Sequence, residues 1–197
     1  MMLKYPLHFV DVETTSLDPK LGEIIAIAII SESEAGERSS WYTLIKPERL
    51  VTADYTSLKI AGYTVEGWQG APKWDQVAGL VSEFLKDGTI IAHNAAFDVK
   101  FIQAGLNRAT LAQAPLTRRV VCTRQLMIEH SPTASSSLAA ARTLFGLGHL
   151  EAHNALDDAK ACQVVFHRLW RCGPLRRAWL KFVHKVQEKE KASLKRG

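Results

Sequence analysis

The stretch "HFVDVETTSLDP", residues 8–19, sets two carboxylates, Asp11 and Glu13, inside an apolar run near the N-terminus. Side chains alternate along a β-strand, so Leu7, Phe9, Asp11 and Glu13 share one face and His8, Val10 and Val12 take the other. Apolar residues on both faces mark a central strand, covered on each side. Two like charges at the end of such a strand cost several kcal/mol if nothing compensates them. A cation has to meet them.

Outward from this strand, the turn "SLDPKLGE" leads into "IIAIAIISE", and the turn "SEAGER" leads into "SSWYTLIKP". Connections this short cannot hold a crossover helix, so the first three strands are expected to form an antiparallel meander. The segment "PKWDQVAGLVSEFLKDG" reads as an amphipathic helix closed by Gly88, and "TIIAH" as a short buried strand. Asn94 is placed to cap a helix reaching about Leu106. "RRVVCT" is a fifth strand, followed by further helical segments that include "ASSSLAAARTLF", a capped helix. The expected architecture is an α/β layer fold with a five-stranded mixed sheet flanked by helices.

Two further carboxylates break the helical pattern. From Asp98, the residues at i+3, i+4 and i+7 are Phe101, Ile102 and Gly105, whereas Lys100, Gln103 and Asn107 point elsewhere. From Asp158, the residues at i+3, i+4, i+7 and i+11 are Ala161, Cys162, Val165 and Leu169; Asp157 falls with Lys160 and Arg168 on the polar side. Asp98 and Asp158 therefore face inward, and Asp157 is an ordinary surface residue. Four inward carboxylates form a set of hard oxygen donors that suits Mg²⁺ or Mn²⁺ better than zinc. Two such cations about 3.5–4 Å apart can activate a water and stabilise the leaving oxygen of a phosphodiester. His153 lies just before the last helix and has the chemistry of a general base for that water.

The motifs "DVETT", "HNAAFD" and "HNALDDA", in this order, resemble those of the DEDD 3′–5′ exonuclease superfamily. His153 followed five positions later by Asp158 is similar to its histidine subgroup, DEDDh, to which the proofreading epsilon subunit of bacterial DNA polymerase III and RNase T belong. The resemblance covers roughly residues 6–170 and implies a ribonuclease H-like fold. It also implies that Asp11, Glu13 and Asp158 hold one metal, that Asp11 reaches a second, that Asp98 supports the second through water, and that His153 is the general base. Thr14 and Thr15 match positions lining the 3′-terminal nucleotide, Leu17 one that packs on its base, and Asn94 and Phe97 lie nearby. Asn94 serves equally as helix cap or substrate contact, whereas Phe97 and Phe101 read as core before base-stacking platforms. Two departures bear on substrate preference: Ala61 in "KIAGYT" where many relatives carry His, and Cys122 in "VVCT" where Asp often precedes the Thr.

The implied substrate is a single-stranded DNA or RNA 3′ end, DNA before RNA, with a DNA polymerase or a second copy of the chain as a further partner. An exoribonuclease of the RNase T or oligoribonuclease kind and a non-catalytic polymerase accessory subunit are the alternatives. The intact set of five residues argues against the latter.

Composition bounds the rest. With 197 residues, 47% of them hydrophobic, the chain can bury one sizeable core. No apolar run approaches a membrane span, "MMLKYPL" is no signal peptide, and three cysteines without C-x-x-C spacing fit a reducing cytoplasm rather than a disulfide or zinc framework. Residues 171–197 hold nine Lys/Arg against Glu188 and Glu190, a net of +7, whereas the remaining 170 residues carry 16 Lys/Arg against 18 Asp/Glu, a net of −2. The expected division is an exonuclease domain at 1–172 and a basic, amphipathic C-terminal helix or tail at 173–197, either packed on the domain or reaching for an acidic partner.

Overall fold

A computed structural model describes residues 3–109, 116–130 and 134–170. The basic segment 173–197 and the boundary at 172 lie outside the described residues. Strand β1 (Leu7–Thr14) is central in a five-stranded sheet of order β3-β2-β1-β4-β5. β2 (Ile24–Glu32) and β3 (Arg38–Leu44) complete the antiparallel meander, and β4 (Thr89–Ala92) and β5 (Val120–Cys122) run parallel to β1 and to each other.

The alternation of β1 divides the core into two layers. Leu7 and Phe9, with Ala28 and Ile30 of β2, pack under α5 (Thr123–His130), α6 (Leu138–Phe145) and α7 (Ala155–Trp170). Val10 and Val12, with Ile27 and Ile29, pack under α3 (Trp74–Leu85) and α4 (Ala95–Arg108). This is the mixed-sheet α/β sandwich expected from the sequence, with Asp11 and Glu13 on the α7 side.

Three local features differ from expectation. Short helices α1 (Tyr55–Ile60) and α2 (Val65–Trp68) fill the segment between β3 and α3. They are too short to show an apolar period, and side-chain caps set their starts: Asp54 accepts from the amides of Thr56 and Ser57, Thr64 from that of Gly67. Asn94 precedes α4 in the left-handed region (φ 77°) but makes no side-chain capping hydrogen bond, which leaves its amide group exposed. Gly88 does not cap α3, whose C-cap is Lys86; it turns the chain into β4 at φ 74°, where a Cβ would collide with the carbonyl of Pro6.

Candidate active site

The ladder between β1 and β4 covers only Leu7 to Phe9 of β1. Past that point β1 runs on beside β2 alone, and its free side opens a gap at the end of the sheet. Asp11 and Glu13 stand at this gap. From the α4 layer Asp98, 3% exposed, reaches it and takes a hydrogen bond from the Val12 backbone, which has no strand partner there. From the opposite layer comes the first turn of α7, which Asn154 starts by accepting from the amides of Leu156 and Asp157 at 3.1 and 3.3 Å.

Both inward-face arguments hold. Asp158 is 6% exposed, while Asp157 pairs with Lys160 at 2.8 Å on the outer side. Asp157 is nevertheless more than a surface residue, because its Oδ2 accepts from the Glu151 amide at 2.9 Å and so braces the loop leading to His153. His153 itself is exposed and sits at φ 61°, a left-handed conformation that costs a non-glycine residue about 1 kcal/mol or more. Its amide holds it there by donating to Asp158 Oδ2 at 3.0 Å.

One ligand atom each of Glu13, His153 and Asp158 lies within 4.8 Å of the other two, a spacing a single cation can bridge. Asp11 and Asp98 stand outside that tight set but within its field. Burial raises all four carboxyls; repulsion by neighbouring carboxylates adds to it at Asp11, Glu13 and Asp98, whereas Arg142 opposes it at Asp158. Glu13 is pushed up to about 7 by desolvation and then by Asp158; Asp98 reaches about 8; Asp11 rises well above the carboxylate range through burial and its neighbours Asp98, Asp158 and Glu13. A cluster that resists its own ionisation this strongly is built to be neutralised from outside, and its hard carboxylate oxygens fit a divalent cation with the His153 ring beside it.

The substrate-side residues divide. Leu17 is 76% exposed and offers a bare apolar surface beside the site. Phe97 is half-buried, its ring 4.7 Å from that of the fully buried Phe101, so only Phe101 is purely core. The hydroxyls of Thr14 and Thr15 are buried and used within the turn: Thr14 donates to the Ser16 carbonyl at 2.8 Å, and Thr15 accepts from the Glu23 amide at 2.9 Å. An open cleft of about 220 Å³ runs from Glu13 and His153 to Tyr42 and Ala61, so the position where relatives carry His lines the cleft with a methyl group.

Beside the divalent cations expected from the sequence, the cluster has a fixed counter-charge of its own. Arg142 of α6 is 9% exposed, and its Nη2 lies 2.6 Å from Asp158 Oδ1. Its direction follows the period of α6, since Leu138 at i−4 and Phe145 at i+3 are partly buried and pack against the core. His93 is structural: it bonds Thr123 Oγ1 and the Ser136 carbonyl, both at 3.0 Å, and burial pushes it down to about 4.

The raised carboxyls make a stability prediction. Above about pH 6.5 the unfolded chain has released its carboxyl protons, while the folded, metal-free protein still holds protons on Glu13 and Asp98, and the raised carboxyl of Asp11 acts in the same direction. The native state then binds more protons, so stability falls as pH rises. His93, lowered by burial, gains stability only up to that pH and does not mask the fall. The thermal midpoint in EDTA is expected to drop by about 5 °C between roughly pH 6.5 and 8.5, and excess Mg²⁺ should remove most of the drop. A midpoint that is level or rising in EDTA contradicts the charge arrangement.

Comparison with known proteins agrees with this geometry. The RNase_T family model, Exonuclease, matches residues 9–166. The chain is 31% identical over 159 residues to the DNA polymerase III subunit epsilon of Treponema pallidum, covering 79% of this chain and 72% of that one. It is 33% identical over 158 residues to the PolC-type DNA polymerase III of Thermotoga maritima, but spans only 11% of that protein's length against 80% of its own. Among solved structures, the nuclease domain of 3′hExo, a DEDDh family member bound to rAMP, superposes with a TM-score of 0.69 at 17% identity, over 85% of this chain and 92% of that one. Acidic residues at the end of a central strand, on two flanking helices and beside an exposed histidine, within a match that spans most of the chain, establish that this protein belongs to the RNase T family of 3′–5′ exonucleases.

Proposed function

We propose that the chain removes nucleotides one at a time from the 3′ end of single-stranded DNA, releasing nucleoside 5′-monophosphates, with two Mg²⁺ or Mn²⁺ ions as cofactors. The observation that carries this reading is the convergence of Glu13, His153 and Asp158 within 4.8 Å beside an open cleft. DNA is preferred because relatives at 31% and 33% identity are a DNA polymerase III subunit epsilon and a PolC-type DNA polymerase III.

Glu13, Asp158 and Asp11 would hold one cation, and Asp98, through water, would support the other. When bound, the cations supply Lewis-acid activation of the attacking water and neutralise charge at the leaving oxygen. The remaining work belongs to side chains. His153, exposed on the cleft and held by its own amide to Asp158, takes the proton of the attacking water on its ring and passes it to solvent. Leu17 packs on the terminal base, with Phe97 and the uncommitted amide of Asn94 beside it. Thr14 and Thr15 shape the turn that carries Leu17 and line the sugar with backbone rather than hydroxyl groups. Anchoring the last nucleotide on rigid elements holds its phosphate in line for attack, which is where most of the rate advantage of a positioned reaction arises.

The test is a purified full chain, with Mg²⁺ or Mn²⁺, on end-labelled single-stranded DNA, duplex DNA and RNA. Stepwise shortening of single-stranded DNA from its 3′ end, faster than of RNA, is expected. RNA cut faster than DNA points to the exoribonuclease alternative, and no cleavage of any substrate to a non-catalytic polymerase partner.

A further inference from the structure

Arg142 is a buried, permanently charged group whose surroundings only half satisfy it. Its Nη2 donates to the Glu151 carbonyl at 2.8 Å and pairs with Asp158 Oδ1 at 2.6 Å. Its Nε is buried with no hydrogen-bond partner among the described residues. Asp158 Oδ1 is also buried, and among the described residues this guanidinium is its one close polar partner. Both side chains are about nine-tenths covered, 10% and 9% exposed. The charge of Arg142 is felt further, at Asp11, where it works against the repulsion of the other carboxylates.

A guanidinium leaves a buried nitrogen unpaired only where something else makes the position favourable. Here that is the acidic cluster. The geometry points to Arg142 as a tethered counter-ion, which compensates Asp158 while the metal site is empty and weakens divalent-cation binding by keeping one positive charge beside a ligand. A metal that uses Asp158 Oδ1 has to share that oxygen with the guanidinium 2.6 Å away and meets its charge at close range. The second bond of Arg142, to Glu151, fixes the loop that leads to His153 in either state. The inference rests on the reading of Asp158 as a metal ligand.

Mn²⁺ binding to the full-length, metal-free protein, followed by calorimetry and by thermal shift without any nucleic acid, separates these effects. R142Q removes the charge but keeps a donor for the Glu151 carbonyl; R142K keeps the charge. R142Q is expected to bind Mn²⁺ about tenfold or more tightly than the parent, since a unit charge a few ångström from a divalent cation outweighs a tenfold change in affinity. Its metal-free midpoint should be lower and its gain on adding Mn²⁺ larger. R142K should bind Mn²⁺ close to parental affinity. Equal or weaker Mn²⁺ binding by R142Q overturns the counter-ion role and leaves Arg142 as a brace for the loop. If R142Q is unfolded in metal-free buffer, Mn²⁺ must restore the fold, and a variant that stays unfolded also overturns the role. A different pattern marks failure of the site reading itself: no Mn²⁺ binding by the parent, or D158N binding Mn²⁺ as tightly as the parent.

Discussion

Asp11→Asn should give a folded protein whose rate on single-stranded DNA in excess Mg²⁺ is lower by about 10³-fold or more, the scale on which preorganised electrostatic groups act. Asn keeps the shape and one oxygen of Asp and loses the charge. In the fold that charge is a liability, because Asp11 faces Asp98, Asp158 and Glu13 with, among the described residues, Arg142 in opposition. Its removal is therefore expected to raise the thermal midpoint in EDTA by a few degrees, about 2–4 °C for each kcal/mol of relieved repulsion. The gain should grow with pH, since it is the ionised form of Asp11 that the fold disfavours. Loss of function joined to gain of stability is the signature of a group kept for chemistry rather than folding. A variant that degrades DNA at the parental rate in excess Mg²⁺ would show that Asp11 is not part of the metal site.

Asp158→Ala and Asp157→Ala, which remove the same group one residue apart, should differ by two orders of magnitude or more in turnover, about the weight of one preorganised group. Asp158 points into the gap beside Glu13 and His153, and its Oδ2 holds the His153 amide, so its loss removes a cation ligand and frees the strained residue beside it. It also strands the buried charge of Arg142, a loss of about 3–5 kcal/mol, so rates have to be compared at a temperature where circular dichroism shows both variants folded. Asp157 contributes one hydrogen bond to the Glu151 amide and an outer pair with Lys160. Its removal should cost about 1 kcal/mol of stability and slow turnover only a few-fold, through a looser loop. Equal losses of turnover from the two substitutions would mean that the register assigned to α7 is wrong.

The position of each carboxylate was legible in the sequence because the direction of a side chain within an element follows from the backbone repeat. Two residues per repeat put Asp11 and Glu13 on one face of β1, and 3.6 residues per turn put Asp98 and Asp158, but not Asp157, on the inward faces of α4 and α7. The meander and the capped helix at Ser137 were legible because each depends on loop length or on residues within one turn. Tertiary structure alone decided what each group meets. That α6 lies against α7, and so brings Arg142 to Asp158 across 16 residues of sequence, depends on how two apolar stripes pack, and neither helix encodes its partner. The same holds for Thr15, whose hydroxyl goes to Glu23 across a turn, and for the gap itself, which exists because the β4 ladder stops at Phe9 of β1. Periodicity says which way a side chain faces; only packing says what stands opposite.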